Sequence, residues 1–151
     1  MNVEIDQSGK IGDTKVPTVL AFSNGKHSAI FIPATVKREC LLTLREQGQA
    51  GKTIYMKLFA IGLFLLLKDH IRRISEITID LEYPGRNAEI KLYLMNLLNR
   101  AGVSYDPTTI HFGQVGKKSR AHLAAIGVFL GRKSPDKSVT TDEMLAEYLK
   151  R

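Results

Sequence analysis

The apolar pattern of this chain changes period at residue 34. Before it, "VEID" (3–6), "VPTVLAFSNG" (16–25) and "HSAIFIPA" (27–34) are β-type runs. Asn24-Gly25 lies between the last two, and this dipeptide is a strong hairpin signal because both residues tolerate positive φ. Residues 2–33 therefore read as a three-stranded antiparallel meander. From Ala34 to about Gln47 the spacing of Val36, Cys40 and Leu44 is helical. A second helix is predicted from about Gly51 to Arg73, ending in the basic cluster Lys68, His70, Arg72 and Arg73.

The period then changes again. In "SEITIDLEYPG", Ile77, Ile79 and Leu81 point one way while Thr78, Asp80 and Glu82 point the other, which describes a strand ending in acids and broken by Pro84-Gly85. "NAEIKLYLMNLLNRAG" is an amphipathic helix with Ile90, Leu94 and Leu97 on one face and Gly102 as its stop. A short strand, "TTIHFGQV", a basic loop, "GKKS", and a helix, "RAHLAAIGVFLG", follow. After the linker "RKSPDKSV", a small terminal helix is expected from Thr140, with Thr141 and Asp142 available to cap it. Three antiparallel strands followed by alternating helix and strand imply an α/β fold, a mixed sheet with helices on its faces.

Composition narrows the possible settings. A chain of 151 residues with 44% hydrophobic and 25% charged residues suits one compact domain. Its net charge of +7 favours polyanionic partners, since a positive surface steers phosphate-bearing molecules toward it. The single cysteine, Cys40, excludes an internal disulfide and a zinc cluster of cysteines, so a reducing cytoplasm is the expected compartment. The opening residues lack the layout of a signal peptide. The most apolar run, Leu58 to Leu67, is ten residues long where a membrane span needs about 20, so no membrane association is expected. That run reads as a buried helix or as a subunit interface.

At "IDQSGKIG", "IDLEYPG" and "GKKSRAHLAA" the chain resembles the ribonuclease H-like superfamily, which includes ribonucleases H, Holliday-junction resolvases and transposases. The resemblance covers residues 1–132 in element order, leaving 133–151 as a linker and C-terminal helix. It implies a mixed five-stranded sheet flanked by helices. It also implies a nuclease that hydrolyses phosphodiester bonds of structured or duplex nucleic acid with Mg2+ or Mn2+. In that superfamily the first strand carries an aspartate, which Asp6 matches; an acid stands at the end of the fourth strand, where Asp80 and Glu82 are available; and an acid or histidine lies near the start of the last helix, where this chain has His122. The aspartate usual in that helix is absent. Some members take a further acid from the first long helix, for which Glu39 is the nearest candidate and Glu46 the next. Resolvase-type members act as dimers, so a homodimer is implied as well.

The chemistry explains why such residues must gather. Hydrolysing a phosphodiester requires an activated water and a stabilised leaving oxygen, and two divalent ions about 4 Å apart supply both. Magnesium and manganese prefer oxygen donors, so several carboxylates must converge. Each candidate also has a purely structural reading. Asp6 can cap the Ser8-Gly9 turn, Asp80 and Glu82 can face a helix N-terminus, Glu39 can be a solvated helix residue, and His122 can be a satisfied histidine on an inward stripe with Ala125, Ile126 and Phe129. Lys117, Lys118 and Arg120 beside His122, and Arg86 after the fourth-strand acids, are placed to hold a phosphate backbone or simply to solubilise their loops. The alternative to a nuclease is a catalytically inactive nucleic-acid-binding or assembly module on the same fold.

Overall fold

A computed structural model describes residues 1–23 and 26–149. In chain order it contains β1 (Asn2–Ser8), β2 (Thr18–Ser23), β3 (His27–Ile32), α1 (Ala34–Glu46), α2 (Thr53–Leu67), β4 (Glu76–Asp80), α3 (Asn87–Arg100), β5 (Ile110–Gly113), α4 (Arg120–Phe129), β6 (Lys137–Ser138) and α5 (Thr141–Leu149). The expected α/β organisation is present as one mixed sheet of order β5-β4-β1-β2-β3-β6. The first three strands pair antiparallel, while β4 joins β1, β5 joins β4 and β6 joins β3 in parallel. The Asn24-Gly25 pair, expected as a hairpin turn, lies outside the described residues; β2 and β3 are paired up to Ser23 and His27.

Alternation along the strands sorts side chains between two layers. Val3, Ile5, Leu20, Phe22, Ile30, Ile32, Ile77 and Ile79 face the larger core, which they share with α1, α2, α3 and α5. Val19, Ala21 and Ala29 face the opposite side, where small residues let Ala124, Ala125 and Val128 of α4 pack close to the sheet. Leu58 to Leu67 are all buried. They form most of a helix that is apolar all round because it sits between the sheet and its neighbours α3 and α5. The run is thus used in the chain's own core and leaves no surface for a subunit contact. Among the described residues, no helix is long and apolar enough to cross a membrane.

Three features differ from expectation. The second helix ends at Leu67 rather than Arg73; the chain then turns and makes a 3-10 turn at Ile71–Arg73, which returns Ile71 to the core at 1% exposure while leaving Arg72 and Arg73 exposed. The sheet has a sixth strand, because β3 is otherwise an edge with free backbone groups. Asp136 N–H donates to Ala29 O, Asp136 Oδ2 accepts from Ala29 N–H, and Val139 N–H donates to Phe31 O. A strand of two residues has no period to read. The third concerns the cap of α5, which is Thr140 rather than Thr141 or Asp142. Thr140 Oγ1 accepts from Glu143 N–H while Glu143 Oε1 accepts from Thr140 N–H, a reciprocal capping box. Val139 and Met144 enter the larger core, so the segment beyond residue 132 packs with the rest of the chain.

A candidate metal centre at the strand ends

The parallel pairing of β1 with β4 brings the acids together. Ile5 and Ile79 are register partners, so the next residues, Asp6 and Asp80, stand side by side on adjacent strands. Both lie on the α4 side of the sheet, since Asp6 is paired with Ala21. Glu82 follows two residues after Asp80, at the rim, where Leu81 N–H still bonds Gly113 O of β5. Asp6, Asp80 and Glu82 each offer a carboxylate oxygen, and these atoms lie within 4.8 Å of one another.

Each acid is held by neighbours. Asp6, only 3% exposed, accepts from Gln7 N–H through Oδ1 at 2.8 Å. Its Oδ2 meets Nδ1 of His122 at 2.7 Å, across 116 positions of sequence. His122 occupies the first turn of α4, where its own N–H donates to the Ser119 cap at 3.0 Å. Asp80 Oδ1 accepts from Val115 N–H at 2.7 Å, which ties the β5–α4 loop to the site. Tyr83 braces the other side: its hydroxyl accepts from Ile11 N–H at 3.0 Å and contacts the side-chain amide of Gln7.

Crowding shows in the ionisation of the group. Burial pushes the Asp6 carboxyl up, against the hydrogen bonds from His122 and the Gln7 amide, which lower it, and with repulsion from Asp80. Glu82 is pushed up to about 7, first by burial, then by its hydrogen bond to and repulsion from Asp80. Asp6 and Glu82 are thus both biased toward the neutral form, a bias that a cation bound beside them would oppose. The three oxygen donors could hold a metal ion.

The other expected residues are distributed differently. Glu39 lies outside this group; it is exposed on α1 and accepts from the Thr141 hydroxyl, so its observed role is to tie α1 to α5. Lys117 and Lys118 are exposed in the loop before Ser119. Arg120 lines a recess of about 390 Å3 with Glu4, Glu76 and Thr78, residues nearer the starts of β1 and β4. Arg86 pairs with Glu89 at 2.9 Å and lines a groove that also includes Glu82. His122 is half-buried and hydrogen-bonded to Asp6, but it is not among the three residues whose ligand atoms converge.

Sequence reasoning missed Gln7, Tyr83 and Lys37. Lys37 had a visible signal: it lies on the same helical stripe as Cys40, Leu41 and Leu44, where a lysine is conspicuous. It is 1% exposed, and its Nζ donates to Lys10 O, Asp13 O and Thr18 Oγ1 at 3.1, 2.6 and 3.0 Å. It therefore pins the β1–β2 loop just beyond Asp6. Gly9, at φ +81°, opens that loop; a Cβ there would come within 2.0 Å of Pro17 O. Tyr83 and Gln7 carried no comparable signal, because their partnership depends on strand pairing.

Comparison of the chain with protein-family models, with curated proteins and with solved structures finds no match.

Proposed function

We propose that this chain is a ribonuclease H-like nuclease that hydrolyses phosphodiester bonds of structured or duplex nucleic acid with Mg2+ or Mn2+. One observation carries the reading: acids from β1 and from the end of β4 converge at the rim of a mixed sheet, and a histidine from α4 meets the first of them. The strand order, with a three-stranded antiparallel meander extended by two parallel strands on the β1 side, supports the resemblance seen in the sequence. The net charge of +7 is compatible with a polyanionic substrate.

Asp6, Asp80 and Glu82 would hold the metal, which supplies a Lewis acid for the attacking water and the leaving oxygen. The protein's own contribution is positional. The Asp80 carboxylate is fixed by the Val115 amide, and Asp6 by the Gln7 amide, so neither has to reorganise. Asp6 orients the His122 ring through Nδ1 and favours the tautomer protonated there, which leaves Nε2 able to accept a proton.

The test is cleavage of labelled duplex, hybrid and branched oligonucleotides with Mn2+ or Mg2+ and with EDTA. Metal-dependent cleavage that Asp6→Asn abolishes is the expected result. Undiminished cleavage by Asp6→Asn, or by a protein kept in EDTA, overturns the proposal. Nucleic-acid binding without cleavage would favour the inactive module instead.

A further inference from the structure

A groove of about 590 Å3 runs beside the carboxylates, between the β1–β2 loop, the start of α2 and the β4–α3 loop. Its volume is that of a small-ligand site. Glu82 belongs both to its wall and to the carboxylate group, so the two are continuous. Three cations from three separate segments line it: Lys10, Lys52 and Arg86. Neither lysine forms an ion pair among the described residues, and both are exposed. Arg86 pairs through Nη2 with Glu89 at 2.9 Å, while its buried Nε has no hydrogen-bond partner among those residues. The acids on the wall are Glu82 and Asp13, and Asp13 Oδ1 already accepts from Lys15 N–H.

The rest of the lining is apolar and aromatic. The Tyr55 ring lies against Gly12, where an added Cβ would sit 3.6 Å from Cδ1. Arg45 donates to the Tyr55 hydroxyl at 3.0 Å and so restrains the ring. Basic groups spaced around an aromatic and apolar floor match the chemistry of a polynucleotide with one base out of its stack: the phosphates meet the cations and the base meets the ring. A continuous duplex has no free base face to offer. We propose that this groove seats an unstacked nucleotide of a single-stranded or frayed segment, with the base on Tyr55 and the phosphates on Lys10, Lys52 and Arg86. The inference rests on the nuclease reading for its role in feeding a strand to the carboxylates, but the binding it specifies is measurable without catalysis.

The experiment is fluorescence anisotropy of the full chain in EDTA, with a labelled 12-nucleotide single strand and a labelled two-strand duplex without loop or overhang as probes. Lys10→Gln and Lys52→Gln are expected to weaken single-strand binding several-fold, each lowering the dependence of log Kd on log salt by about 0.7. Tyr55→Leu is expected to weaken it about tenfold with the salt dependence unchanged. Gly12→Leu, at an exposed position without positive φ, should do the same by filling the groove and guards against misfolding of the Tyr55 variant. Lys15→Gln, exposed but outside the groove, serves as the unchanged control. Wild-type protein that fails to bind the single strand overturns the inference. So do variants that bind it like wild type, or that lose duplex affinity to the same extent. Cleavage in Mn2+ is scored separately. A protein that cleaves, with groove variants that bind normally, loses the groove and keeps the nuclease; the selective binding losses without any cleavage do the reverse.

Discussion

Lys37→Met should remove a specific alkaline stabilisation. Burial among apolar neighbours lowers the Lys37 ammonium to about 8, with the nearby Asp13 opposing that shift. An unfolded lysine titrates near 10.4. Below pH 8 both states carry the proton and the folded state bears the full cost of a buried charge. Between about 8 and 10.4 the folded lysine releases its proton while the unfolded one keeps it, so the unfolded state binds more protons and stability rises with pH. The gap corresponds to about 3 kcal/mol, fully gained only above the unfolded value. Methionine has no charge to lose, but it leaves Asp13 O and Thr18 Oγ1 without the Lys37 donor, at roughly 1–3 kcal/mol for each that water cannot reach, while Lys10 O keeps the Asp13 N–H. Urea denaturation of both proteins at pH 7 and pH 10 measures the difference, and subtracting the two pH trends cancels groups common to both. Wild type should gain about 2–3 kcal/mol on the variant across that interval. Parallel trends would refute the argument that a charged amine sits desolvated in this loop.

Glu82→Gln should act in the opposite sense and at lower pH. Because burial and Asp80 raise Glu82 to about 7, the folded state binds the extra proton between the ordinary carboxylate range and neutrality, so metal-free wild type loses stability as pH rises through that window. The loss is on the order of 2 kcal/mol and should vanish in the variant; identical pH 5 and pH 8 differences in EDTA for both proteins contradict it. Gly9→Ala forces both positive φ and a contact with Pro17 O, so its cost should exceed about 2 kcal/mol, whereas Gly48→Ala, at φ +85° with open space around it, should cost only about 1 kcal/mol. Equal midpoint shifts for the two in denaturant would count against the steric part. Met144→Ala, at a position 1% exposed, should destabilise the whole chain by about 2–4 kcal/mol in a single transition. A separate early transition would instead show α5 melting alone.

Much of the element series could be read from local pattern. The two-residue period of residues 76–80 and the helical spacing of residues 87–100 come from backbone repeats that each segment carries by itself, and the strand and helix are found there. Gly102 as the stop of α3 was similarly legible: it adopts φ +79°, and Val103 N–H returns to Leu98 O. The end of α2 at Leu67 is not legible locally, because Lys68 to Arg73 contain nothing that forbids a helix; the chain leaves the helix there to bring Ile71 back to the core, which is a tertiary demand.

Within the sequence alone, Asp6, Asp80 and Glu82 are acids at the ends of separate strands, and His122 is a histidine near a helix start. Whether they meet depends on which strand lies beside β1, and in which direction, and no local period encodes that. Parallel pairing of β4 with β1 places Asp80 next to Asp6; packing of α4 over the small residues of β2 and β3 brings His122 to the same carboxylate. The same long-range packing buries Lys37 and sets Tyr55 beside the loop that contains Gly12. Local preferences select the shape of each segment, because they act over one turn or one strand. The mutual placement of segments follows from burying their apolar faces together, and the candidate site is a consequence of that second step.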